Sequence, residues 1–336
     1  MPARIVGVHP LSAIEGARIT IDGTGFPVDG PQLPDVRIGD TAARVVFASP
    51  ERLVVIVPSR LDAGLAPIRV GGTSGLTAYV KIASPFATGL HQVDNPVFGR
   101  DGSLYVTFSG TRGQQVPVSI FRVRPNGTRE TFSSGIVNPT SMAMDAEGRL
   151  YVSSRFEGVV YRVAHDGTVS PFASELGVAC GLAFGPASDG SPLYVGDRSG
   201  TIFRVDRDGK ATTFASLPAS VAAFHLAYGP PGPKAALYAT GPTLSPYDAL
   251  YRIDANGRVT SIQERFGRPQ GLGFDAQGNL HVVEALSGGS GLYRVAAEGS
   301  PELVLAGPGL VGVAFGAGGE IVVTSNDTAY RAPALG

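Results

Sequence analysis

The chain has 336 residues, of which 43% are hydrophobic and 16% charged, with a formal net charge of −1. This composition is globular rather than disordered, gives no electrostatic reason to expect a nucleic acid or an anionic membrane as partner, and has room for two domains or one large repeat array. The single cysteine excludes an internal disulfide.

Forty-six Gly and 26 Pro, spread along the sequence, predict many turns. No run of eighteen or more apolar residues exists, so no membrane-spanning helix is expected. The first ten residues, MPARIVGVHP, lack the apolar core of a secretory signal. The expectation is a soluble protein, cytoplasmic or exported with its leader removed.

Residues 1–82 alternate in the manner of strands. Strands are predicted at 17–21, 36–38, 43–47, 53–57, 68–70 and 77–82, separated by turn residues such as Gly23-Thr24-Gly25 and Gly39-Asp40. No helical period appears, and the pattern predicts a small β-sandwich. His9-Pro10, Gly16, ITIDGTGF (19–26), VRIGD (36–40), LVVIVP (53–58) and PIRVGG (67–72) resemble an IPT/TIG domain. That resemblance implies an immunoglobulin-like sandwich, with Gly23 and Gly25 permitting a bend and Phe26 plugging the core. It also implies a spacer or a module that binds a protein partner.

From residue 84 a unit recurs about every 42 residues, a period of the kind propellers show. Its first turn is Asp101-Gly102, Glu147-Gly148, Asp189-Gly190, Pro231-Gly232, Gln277-Gly278 and Gly318-Gly319. Its second turn is Asn126-Gly127, Asp166-Gly167, Asp208-Gly209, Asn256-Gly257 and Glu298-Gly299. Gly in such turns supplies the positive φ that tight hairpins need. Between the turns lies a pair of strands, LYVTF…IFRV, LYVSS…VYRV, LYVGD…IFRV, LYATG…LYRI, LHVVE…LYRV and IVVTS…AYRA. The last copy lacks a fourth strand, and SPFAT (84–88) matches SPFAS (170–174). An N-terminal strand that completes the last sheet closes a ring and removes exposed edges. The prediction for 84–336 is therefore a six-bladed β-propeller, fixed to the sandwich because only Ala83 separates the two.

The tight, Gly-bearing turns mark one face as closed. The second-to-third connections lie on the other face and are long at 109–118, 241–248 and 286–291. Long loops on a rigid scaffold are the usual place for function. The expected mouth is lined by Asp94, Thr140, Cys180, Phe224, Gln270 and Val311, with Ser154, Arg155, Asp197, Arg198, Glu284, Ser325 and Asn326 beside them. His225 is expected near the same mouth as a ligand contact. His281 stands where other units have Tyr and is read as a packing residue. The Arg repeated in every third strand (Arg122, Arg162, Arg204, Arg252, Arg294, Arg331) is read as structural. Carboxylates suit hard cations, and Asp94, Asp197 and Glu284 form the candidate metal set.

GLAFGPASDGSPLYVGD (181–197) and PQGLGFDAQGNLHVVE (269–284) resemble the NHL-repeat and gluconolactonase-like superfamily. That resemblance implies a propeller hosting lactonases, lyases or plain binding proteins. In its metal-dependent members a divalent ion is held by Glu, Asn and Asp before successive inner strands. Here those positions carry Asp94, Thr140, Cys180 and Gln270, an eroded set for a hard ion. The expected function is recognition of a small molecule, glycan or peptide at the mouth, through Asp94, Arg155, Cys180, Asp197, Arg198, His225, Gln270 and Glu284. The alternative is a divergent lactone or ester hydrolase using Ca²⁺, Mg²⁺ or Zn²⁺ on the three carboxylates.

Overall fold

In a computed structural model, residues 3–30, 32–71, 77–285, 289–296 and 300–332 are described. The fold is all-β: an immunoglobulin-like sandwich followed by a β-propeller. Among the described residues no helix is long and apolar enough to cross a membrane. The Glu298-Gly299 turn lies outside the described residues.

Alternation builds the sandwich. Strand Arg18–Thr24 buries every second residue, as a half-buried strand must. Ile19 and Ile21 from it join Ile38, Leu53, Val55, Ile68 and Val80 in one core. Phe26 is buried in the same cluster over Gly23, where a Cβ would overlap the Phe26 ring.

The propeller is a ring of antiparallel four-stranded meanders. Four stand as separate sheets at 97–133, 139–173, 179–216 and 225–266. A fifth combines 310–332 with Ser84–Thr88, which pairs Thr88 with Thr328 and Ser84 with Arg331 and so closes the ring. The expectation of a six-bladed propeller is corrected to five blades. The remaining meander, 269–306, is one end of a twelve-stranded sheet that continues into the sandwich. The cause is the two-residue strand Ser12–Ala13. It lies parallel to sandwich strand Ala78–Ile82 on one side and to outer strand Glu302–Ala306 on the other. Ile14 N donates to Ala306 O at 3.0 Å and Ala83 N to Ala13 O at 2.9 Å. Ile14 and Ala83 enter the propeller core with Val283, Leu292, Leu305 and Val323. The sandwich thus covers an outer strand that would otherwise be an exposed edge.

Neighbouring meanders are joined by aromatic side chains. Tyr151 contacts Phe172 of its own sheet and Phe184 of the next, each at 5.0 Å between centroids. Tyr238 meets Phe274 in the same way at 5.2 Å. His281 takes the Tyr position and packs on Phe315 at 5.0 Å. Burial lowers the His281 pKa, only partly opposed by Asp275 and by a hydrogen bond to Asn279. The repeated arginines pair beside these rings: Arg122 with Glu130, Arg204 with Asp189 at 2.9 Å, and Arg294 with Glu302 at 2.6 Å. Arg331 lies over the Phe86 ring at 4.0 Å.

Candidate functional site

The centre of the propeller is filled by the segment that enters the first blade. Asn95 Nδ2 donates to Leu272 O at 2.8 Å, and Val313 N donates to Asn95 Oδ1 at 2.9 Å. Asp94 Oδ1 accepts from Asn95 N at 2.7 Å and lies 2.5 Å from His225 Nδ1. One short segment therefore bonds to the inner strands of the fourth blade, the fused meander and the closing blade. Only a segment on the ring axis can do so. Glycine makes the space: a Cβ on Gly271 would overlap Asn95 Oδ1, and one on Gly312 would overlap Asp94 O. Asp94 and His225 are fully enclosed, and Nε2 of His225 has no partner among the described residues.

Several residues expected at an open mouth are instead buried. Thr140, Cys180 and Phe224 are inaccessible and Gln270 nearly so. The Cys180 thiol donates to Val178 O at 3.2 Å, and burial pushes its pKa up to about 12. Cys180 O accepts from Ser153 Oγ, and Gln270 O from Thr240 Oγ1, both at 2.6 Å. Side-chain hydroxyls of second strands thus tie down the inner strand of the following unit.

The three-carboxylate metal set is corrected. Among the described residues no group of three or more His, Cys, Asp or Glu is close enough to hold an ion. Each carboxylate serves its own loop. Asp197 accepts from Val178 N at 2.7 Å and from Ser199 Oγ. Glu284 accepts from Arg268 N with both oxygens at 3.1 Å. Both tie the crossing loop to the end of a second strand. Ser154 does the same through Val137 O at 2.6 Å.

Arg155 and Arg198 do come together. With Arg112, Phe156, Val178 and Ala222 they line a cavity of about 200 Å³ on the long-loop face. Arg155 and Arg198 each follow the second strand of adjacent blades. Arg112 lies in the 109–118 loop, which Asn138 of the next blade holds in place. Asn138 Nδ2 donates to Ser109 O at 2.7 Å and Thr111 O at 2.8 Å, and its Oδ1 accepts from Gly113 N at 2.7 Å. Burial depresses the Arg155 pKa, and the nearby charges of Arg112 and Arg198 act in the same direction. Burial, with Arg155 added, also lowers His91. Sequence reasoning missed Arg112 and Asn138. The available signal was an Arg in the longest loop beside two arginines in equal register in adjacent units.

The tight-turn face is not closed everywhere. A groove of about 740 Å³ lies there between the third and fourth blades, lined in part by Pro186, Tyr194, Tyr228 and Pro231. Turns longer than two residues open it, since Gly185 N bonds to Pro192 O and Gly229 N to Ala236 O. Its Asp189 is already paired with Arg204.

Fold and site together define an all-β protein in which an immunoglobulin-like domain flanks a β-propeller with a plugged channel and a cationic mouth. Residues 3–84 match the IPT/TIG domain family. The whole chain is similar in fold to an auxiliary nutrient binding protein from Bacteroides ovatus, at 14% identity and TM-score 0.55, covering 99% of this chain and 98% of that one. A putative gluconolactonase is similar at 16% identity and TM-score 0.59, covering 75% and 92%. Virginiamycin B lyase from Staphylococcus aureus is similar at 15% identity and TM-score 0.53, covering 89% and 94%. No curated protein matches.

Proposed function

We propose that this protein is a recognition propeller that binds a small molecule, glycan or peptide at the mouth formed by its long loops. One observation carries the reading. Loops and strand ends of three successive blades surround one cavity, and the three arginines on it converge from residues far apart in sequence. Ligand-binding cavities have this form, with a few convergent polar groups on a rigid frame. The fold likeness to a nutrient binding protein is compatible with it. A hydrolase built on Asp94, Asp197 and Glu284 has less support, because each of these carboxylates already holds its own backbone partners.

The test is a thermal-shift screen of neutral and charged small molecules, oligosaccharides and peptides, run on the wild type, Phe156→Ala and Arg198→Ala. Ligand stabilisation that both variants weaken is the expected result. Stabilisation that neither variant changes would overturn the reading. A lactone and ester hydrolysis screen with and without EDTA runs beside it. Turnover that EDTA abolishes would replace recognition by metal-dependent hydrolysis.

A further inference from the structure

We infer that the mouth cavity is an oxyanion site: Arg112, Arg155 and Arg198 take the carboxylate or phosphate group of a small organic molecule whose apolar body lies on Phe156. This rests on the reading of the mouth as a recognition site and supplies the class of its ligand.

The charge balance is the first argument. Three of the repeated arginines have acidic partners: Arg122 has Glu130, Arg204 has Asp189 and Arg294 has Glu302. The cavity has three arginines and no acidic lining residue. Asp197, next to Arg198, is taken up by Val178 N and Ser199 Oγ. Among the described residues the guanidiniums of Arg112 and Arg155 have no hydrogen bond or ion pair, and that of Arg198 has a single one, from Nε to Ser220 O at 3.3 Å. Burial and two like charges disfavour the charged form of Arg155, and an arriving anion reverses that cost.

The second argument is construction. The three guanidiniums come from residues far apart in sequence. Asn138 fixes the loop that bears Arg112 with three hydrogen bonds. Gly113 approaches so close to the Phe156 ring that a Cβ there would stand 3.1 Å from it. The loop and the aromatic wall are thus packed together. Guanidinium forks match carboxylate and phosphate oxygens in pairs. About 200 Å³ accommodates a charged head group, and Phe156, 53% exposed, offers its ring to the apolar body of the ligand.

The probes are benzoate, phenyl phosphate and the neutral benzamide, titrated into the full chain and followed by ligand-observed NMR. At least one anion is expected to bind about tenfold more tightly than benzamide, equivalent to about 1.4 kcal/mol. The better anion distinguishes a carboxylate from a phosphate site. Binding should weaken with added salt, be lost in Arg155→Gln, recover only partly in Arg155→Lys, and be unchanged in Arg258→Gln on the tight-turn face. The melting temperature of unliganded Arg155→Gln should equal or exceed that of the wild type, since the charge removed has no partner. A lower one would mark Arg155 as structural and overturn the inference. Benzamide binding as tightly as the anions, with Phe156→Ala weakening it, would overturn the anion class and leave recognition at the mouth standing. Failure of both anions to bind at high millimolar concentration also overturns it.

Discussion

Asp94 is one of the three carboxylates expected to form a metal set, yet its carboxyl oxygen is spent on Asn95 N and His225 Nδ1. Its contribution is to the sealed axis. Removing one member of a buried, hydrogen-bonded pair strands the other, which costs about 1–3 kcal/mol. Asp94→Ala should lose that much in urea unfolding, and chelator should leave the wild-type curve unchanged. Cys180 is the second residue whose type suggested chemistry. Its thiol is buried and raised to about 12, so at pH 8 the nucleophilic thiolate is nearly absent. Iodoacetamide should leave Cys180 unmodified in the native protein and label it fully in denaturant. Fast native labelling would show that the inner strand of the third blade opens.

Strand by strand, each meander depends on its glycine turns in two ways. Gly167 has φ +86°, and a Cβ there would overlap the Phe132 carbonyl oxygen of the preceding blade. Gly319 has φ +85° with nothing near it. Alanine at Gly319 should therefore cost only left-handed strain, about 1–2 kcal/mol. Alanine at Gly167 should cost at least about 1 kcal/mol more, because the overlap forces two blades apart. Equal losses in denaturant unfolding would refute this account. The same element scale explains the mouth: second strands end in Ser154, Asp197 or Glu284, which bind the crossing loops and so set where Arg155 and Arg198 stand.

Across the whole molecule the decisive contact is Ser12–Ala13. Because it joins a sandwich edge to outer strand Glu302–Ala306, the two parts share one sheet and one buried cluster containing Ile14. A shared core couples their unfolding. Calorimetry should show a single transition. Ile14→Ala, which empties a fully buried site, should lower the stability of the whole by about 2–5 kcal/mol. Two resolved transitions, with only the first moved by the substitution, would contradict the coupling. Scattering should likewise give one narrow interdomain distance.

The sequence by itself determined the repeat, the sandwich and the closing strand at 84–88. These arise from local signals: turn residues of fixed conformation, two-residue alternation and a constant period. It also singled out the long-loop face, on which Arg112, Arg155 and Arg198 line a cavity, since loop length is visible in one dimension. Tertiary structure alone decided that Asp94 plugs the axis and that Asp197 and Glu284 bind separate loops. It alone decided that Arg112 completes a cationic cavity and that one meander merges with the sandwich. Residues aligned as equivalent are related by rotation about an axis, so equivalence says nothing about which of them meet at its centre. That is set by where glycine leaves room, as at Gly271 and Gly312, and by which loop Asn138 pins across its neighbour.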